Sequence, residues 1–105
     1  EEKDVLMVHA AGNDAENLDR TAYFPDPNYA FQKKPASTWL TVGASASTGD
    51  EHLIGTFSNY GKKSVDIFSP GVRIYSTKPD NTYAFEDGTS MAAPVVSGVA
   101  ALIKS

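Results

Sequence analysis

The chain has 105 residues, 41% of them apolar, with no cysteine and a formal net charge of −4 at pH 7. That suffices for one domain with a modest core, while the acidic balance offers no basic footprint for nucleic acid. No apolar run approaches the ~20 residues that span a bilayer, the absence of cysteine rules out a disulfide scaffold, and Glu1-Glu2-Lys3-Asp4 lacks the apolar stretch of a signal peptide.

In chain order, residues 5–9 and 39–42 are short apolar runs rich in β-formers but without strict alternation, as expected of strands covered on both faces. Between them, residues 14–34 show no period and contain Phe24-Pro25-Asp26-Pro27; a loop of this length is usually functional or mobile. Residues 65–68 are a third strand candidate. Residues 73–76 and 82–85 flank the turn cluster Lys78-Pro79-Asp80-Asn81 and read as a hairpin. Residues 90–104 predict one helix, about 22 Å long at ~1.5 Å per residue. The pattern is α/β with a mostly parallel sheet.

The most informative stretch is Gly88-Thr89-Ser90-Met91-Ala92-Ala93-Pro94, which runs straight into the apolar segment 95–103. It places a hydroxyl at the first turn of a helix that is apolar on nearly every side. One reading is helix capping, since Ser and Thr oxygens accept orphaned backbone N–H groups there. The other is a nucleophile whose own N–H points where negative charge is favoured, the place for a tetrahedral oxyanion. Pro94 follows within the first two turns, where proline is still tolerated. Small residues at 92, 93, 98, 100 and 101 permit close helix packing.

Gly88 to Pro94 resembles the nucleophile motif of the subtilisin-like serine proteases, the subtilases. Val5-Leu6-Met7-Val8-His9-Ala10-Ala11-Gly12-Asn13 is similar to that family's apolar strand ending in Ala-Gly-Asn. Leu40-Thr41-Val42-Gly43-Ala44, Phe57-Ser58-Asn59-Tyr60-Gly61, Val65-Asp66-Ile67-Phe68-Ser69-Pro70-Gly71-Val72 and Ile74-Tyr75-Ser76-Thr77 follow in the family's order. The resemblance covers almost the whole chain.

It implies the C-terminal part of a subtilisin-like three-layer fold: a mostly parallel sheet, one buried helix after the nucleophile and a β-hairpin. The family's triad runs Asp, His, Ser along the chain, and segments matching the first two would lie before Val5. The reading is therefore of a partial catalytic domain over residues 1–105. The residues alone point the same way, because at least three buried parallel strands need more than one covering helix. That helix, polar only at Ser97 between Met91 and Ile103, calls for enclosure, which about a hundred residues cannot easily supply.

By resemblance Ser90 is the nucleophile of a serine endopeptidase, and Asn13 supplies an oxyanion-hole amide beside the Ser90 N–H. Without the resemblance, Gly12-Asn13 is simply a turn that ends a strand. Ala10, Ala11, Gly12, Gly88 and Thr89 are expected to contact substrate, with Gly88 allowing close backbone approach. Thr89 either adds a hydroxyl donor or caps the helix, and Met91 is an oxidation-prone neighbour if exposed. Phe24-Pro25 matches an aromatic-proline pair that can hold a cis bond. His9 reads as a strand histidine and His52 as a solvated loop residue, neither of them the general base.

Calcium in the parent enzyme could engage Asp14, Glu16 and Asp19, but a solvated acidic loop is the simpler reading and no metal or other cofactor is assigned. The expected partner is a peptide or protein substrate, with no nucleic acid and no membrane. The isolated chain should be inactive and prone to self-association through exposed strand edges. The family implies a secreted, periplasmic or cell-surface location. An α/β-hydrolase is disfavoured because position 92 is Ala and no His follows Ser90. A phosphate loop would need more glycines and a Lys beside the hydroxyl residue. A non-catalytic subtilase-like scaffold or interaction module remains the alternative.

Overall fold

The computed structural model describes residues 4–21, 37–47 and 53–105. Three parallel strands, β1 (Met7–Ala10), β2 (Trp39–Ser45) and β3 (Ile67–Pro70), form a sheet in the order β1-β2-β3. Val8 pairs with Leu40, and Gly43 with Phe68. An antiparallel hairpin of β4 (Ile74–Lys78) and β5 (Thr82–Glu86) leads into α1 (Thr89–Lys104). The predicted elements are all present, with shifted ends. Val65 joins the core before β3 begins, and Val5 and Leu6 stay exposed ahead of β1.

The central strand explains the sequence pattern. Thr41, Val42, Gly43 and Ala44 are buried in succession because both faces of β2 are covered. On one face Val42 and Ala44 pack against Ala92 and Val96 of α1. On the other lies a smaller cluster of Ala11, Leu18 and Val65, with Phe68 packed against it. The Phe68 ring occupies the space beside Gly43, where a Cβ would stand 2.3 Å from the ring edge.

As the shortage of covering elements leads one to expect, the described residues do not enclose the helix. Among the described residues only one side of α1 is covered: Thr89, Ala92 and Val96 are buried, while Leu102 is 75% and Ile103 80% exposed. A three-stranded sheet can cover only one flank of a cylinder about 10 Å across, so among the described residues nothing lies against the apolar outer face.

The hairpin turn is made by Asp80 and Asn81, both in the left-handed region (φ 64° and 57°) that these residue types tolerate. Thr82 Oγ1 donates to the Pro79 carbonyl at 2.8 Å. At the open end the Arg73 N–H donates to Asp87 Oδ1, and Gly88 N–H to the Gly71 carbonyl at 2.8 Å. These bonds tie the hairpin to the start of α1 and fix where the helix begins.

Candidate active site

The site is built from two chain ends, the exit of β1 and the first turn of α1. The β1 pairing continues one residue past the strand, through Ala11 N–H to the Val42 carbonyl at 2.8 Å. The chain then turns at Gly12, whose φ of 102° favours glycine, and presents Asn13 to the helix start. Ala11 is buried, Ala10 and Gly12 half-buried, and Asn13 exposed.

Asn13 and Thr89 are locked together. Asn13 Oδ1 accepts both the Thr89 N–H and the Thr89 hydroxyl, each at 3.0 Å. The hydroxyl oxygen in turn accepts the Gly12 N–H at 3.1 Å. A backbone N–H can only be given to an acceptor, so these bonds fix the amide orientation: Oδ1 faces α1 and Nδ2 faces away from Thr89. Asn13 therefore caps α1 from a distant part of the chain, and the N-cap position itself, Gly88, makes no side-chain cap bond. Of the two readings of Thr89, capping by its own side chain is replaced by a tether: its proton is spent on Asn13.

The remaining first-turn donors sort themselves by geometry. Met91 and Ala92 N–H groups reach the Gly88 carbonyl at 3.1 and 3.3 Å. Ser90 N–H and Asn13 Nδ2 have no hydrogen-bond partner among the described residues, and both lie close to the point where a Gly88 Cβ would stand. Measured from where a Gly88 Cβ would stand, Asn13 Nδ2 is 3.6 Å away, Ser90 N 3.7 Å and Met91 Sδ 3.3 Å. Gly88 has φ 155° and lacks the side chain that would stand there. Ser90 is exposed beside it, and Pro94, the sixth residue of α1, leaves the Ser90 carbonyl without its i+4 N–H. Two neutral N–H donors thus converge next to a hydroxyl, at the positive end of a helix.

The other candidates fall outside this constellation. His9 sits in β1 with its ring 5.2 Å from that of Trp39, and burial holds its pKa below the ordinary value. Ser90 Oγ has no hydrogen-bond partner among the described residues. His52 and Phe24-Pro25 lie outside the described residues. Asp19 uses its carboxylate to fasten a loop, accepting N–H bonds from Lys62, Lys63 and Ser64 at 2.7 to 3.0 Å. Partial desolvation pushes its pKa up, but the donors from Lys63, Ser64 and Lys62 outweigh this and hold it below the ordinary value. Glu16 accepts the Thr21 hydroxyl at 3.3 Å. Among the described residues no three His, Cys, Asp or Glu side chains converge as metal ligands would.

The segment Phe57-Ser58-Asn59-Tyr60-Gly61 brings a further residue to the site. Asn59 is 3% exposed. Its Oδ1 accepts Asp14 N–H at 3.0 Å and Glu16 N–H at 2.9 Å, and its Nδ2 donates to the Ala11 carbonyl at 2.8 Å. The signal available was a polar pair, Ser58-Asn59, set between Phe57 and Tyr60. Buried polar residues in such a setting must find partners, but their identity is a tertiary matter.

Comparison with known proteins now decides the family. The model of the subtilase family, peptidase family S8, matches residues 1–105. The chain belongs to the subtilases. It is 44% identical over 103 residues to thermitase of Thermoactinomyces vulgaris, covering 98% of this chain and 32% of that protein. It is 41% identical over 103 residues to subtilisin-like protease 2 of Plasmodium falciparum, covering 98% of this chain and 7% of that one. A cold-adapted subtilisin-like serine proteinase superimposes with a TM-score of 0.74 at 35% identity, over 97% of this chain and 32% of that structure. The prenylagaramide maturation protease PagA gives 0.73 at 35% identity, over 97% and 33%. This subtilase segment thus spans about a third or less of these relatives. Its parallel sheet with one flanking long helix fits a part of the subtilisin-like three-layer fold.

Proposed function

We propose that this chain carries the nucleophile and oxyanion hole of a serine endopeptidase. The observation that supports it most directly is the pair of N–H donors without partners among the described residues, Asn13 Nδ2 and Ser90 N, which lie 3.6 and 3.7 Å from one point at Gly88. Ser90 Oγ attacks a peptide carbonyl while a general base takes its proton. The carbonyl oxygen becomes an oxyanion in the space over Gly88, held by the two donors, and the amine leaves with a proton from the base. Water then attacks the ester and releases the acid by the reverse proton transfers. Ala10 and Gly12, half-buried, border the substrate's approach, while Ala11, Gly88 and Thr89 are buried behind them and shape the site from beneath; a peptide or protein is the substrate class.

The base and its orienting carboxylate come from outside these residues, so the isolated 105-residue chain turns over no substrate and its uncovered α1 face favours self-association. Location outside the cytoplasm accords with the family.

The test is a fluorophosphonate probe on the full-length protein with a peptide substrate assay. Labelling and hydrolysis should both vanish in Ser90→Ala. Asn13→Ala should lower kcat by about 10²–10³ with little change in KM, a general cost of one oxyanion donor that itself derives from a subtilisin. Absence of labelling in the wild-type protein would support the scaffold reading instead. Hydrolysis surviving Ser90→Ala would sink the assignment.

A further inference from the structure

We infer that Asn59 is a positioning residue for the oxyanion hole, acting through Asn13; the inference rests on the proposed role of Asn13. The turn from Ala11 to Glu16 has left the sheet, so its backbone polar groups need partners from elsewhere. Asn59 supplies most of them. Besides its side-chain bonds to the Ala11 carbonyl, to the Asp14 and Glu16 N–H groups and, at 3.4 Å, to Asp14 Oδ2, its own N–H donates to the Gly12 carbonyl at 2.9 Å. Four of the bonds that shape the turn's backbone therefore come from one buried residue, two on each side of Asn13 in sequence.

The fit is mutual. A Cβ at Gly12 would stand 2.6 Å from Asn59 Nδ2, so the turn closes on the amide only because position 12 is glycine. Asn59 is held in turn from behind: Ser58 Oγ donates to the Asn59 carbonyl at 2.9 Å while accepting the Ala44 N–H of β2 at 2.9 Å. A chain of hydrogen bonds thus runs from the central strand through Ser58 and Asn59 to both flanks of Asn13. Thr89 holds the Asn13 side chain on the helix side, whereas Asn59 holds its backbone on the sheet side. An oxyanion donor is effective only when it is held where charge will develop, and displacements near 1 Å cost on the order of 10²-fold in rate.

The experiment is a double-mutant cycle in the full-length protein, with kcat expressed per serine titrated by a fluorophosphonate so that misfolded molecules drop out. Asn59→Ala should lower kcat about 10- to 100-fold with KM within about threefold. Combined with Asn13→Ala it should add little, leaving the double variant within about threefold of Asn13→Ala alone. Asn59→Asp, made with Asp14→Asn so that no second carboxylate faces it across the 3.4 Å contact, keeps the acceptor for the N–H groups of residues 14 and 16 but loses the donor to Ala11, so its kcat should fall between that of Asp14→Asn and that of Asn59→Ala. This variant carries the test if the alanine variant yields no titratable serine. Losses that multiply in the double variant, or a change in titratable fraction alone, would overturn the inference. If Asn13→Ala itself leaves kcat unchanged, the oxyanion reading fails; if only the Asn59 variants do, this inference alone fails.

Discussion

Replacing Thr89 by valine exchanges one oxygen for one methyl in a side chain that is 1% exposed, so no water can stand in for the lost hydroxyl. Two interactions disappear together. The Gly12 N–H loses its acceptor at 3.1 Å, and Asn13 Oδ1 loses one of its two donors at 3.0 Å. A buried donor left unpaired costs about 1–3 kcal/mol, and a net hydrogen bond about 0.5–1.5 kcal/mol. Gly12 is only half-buried, which favours the lower end, so the expected loss is about 2 kcal/mol. Thr89→Ser is the control: it keeps the hydroxyl and removes one buried methyl, costing about 1 kcal/mol. Denaturant unfolding of the full-length protein in a Ser90→Ala background, which prevents self-digestion, gives both values. Because the Thr89 N–H still holds Asn13, kcat of the valine variant in the active background should fall by roughly tenfold rather than be abolished. A valine variant within about 0.5 kcal/mol of wild type, or a serine variant less stable than the valine one, would refute the tether.

Gly43→Ala should destabilise by about 1–3 kcal/mol, because the new Cβ would meet the Phe68 ring at 2.3 Å in a packed sheet face; thermal unfolding checks this, and adding Phe68→Leu should recover part of the loss. The His9 pKa is held below its ordinary 6.5 by desolvation, so the unfolded chain takes up that proton first as pH falls. The stability it contributes is present above pH 6.5 and is lost as pH falls through the folded value; His9→Gln should flatten the urea midpoint between about pH 7.5 and 5, and an unchanged slope would argue against the burial cause.

The readings that succeeded from residues alone were those carried by local pattern. Trp39 to Ala44 announces a strand covered on both faces, Lys78-Pro79-Asp80-Asn81 a hairpin turn, and the apolar run after Ser90 a helix. Asn13 and Ser90 were legible through resemblance to a family, since the spacing of 77 positions between them carries no physical signal by itself. Thr89 stayed ambiguous between donor and cap, because a hydroxyl's role depends on which acceptor it meets. The all-round apolar character of α1 shows that something should cover it, and the few elements available show that these residues cannot; which surface does so is not written in the helix.

The amino-acid order by itself determined which segments become strands, hairpin and helix, because backbone sterics and side-chain periodicity act over neighbouring residues. Only the tertiary structure decided that the Asn13 amide turns its oxygen to Thr89 and its nitrogen toward Gly88 and Ser90. It also decided that Asn59 holds the turn on both sides. Hydrogen-bond pairing between groups 45 to 77 residues apart is chosen by how sheet, loop and helix pack, and no local preference encodes it.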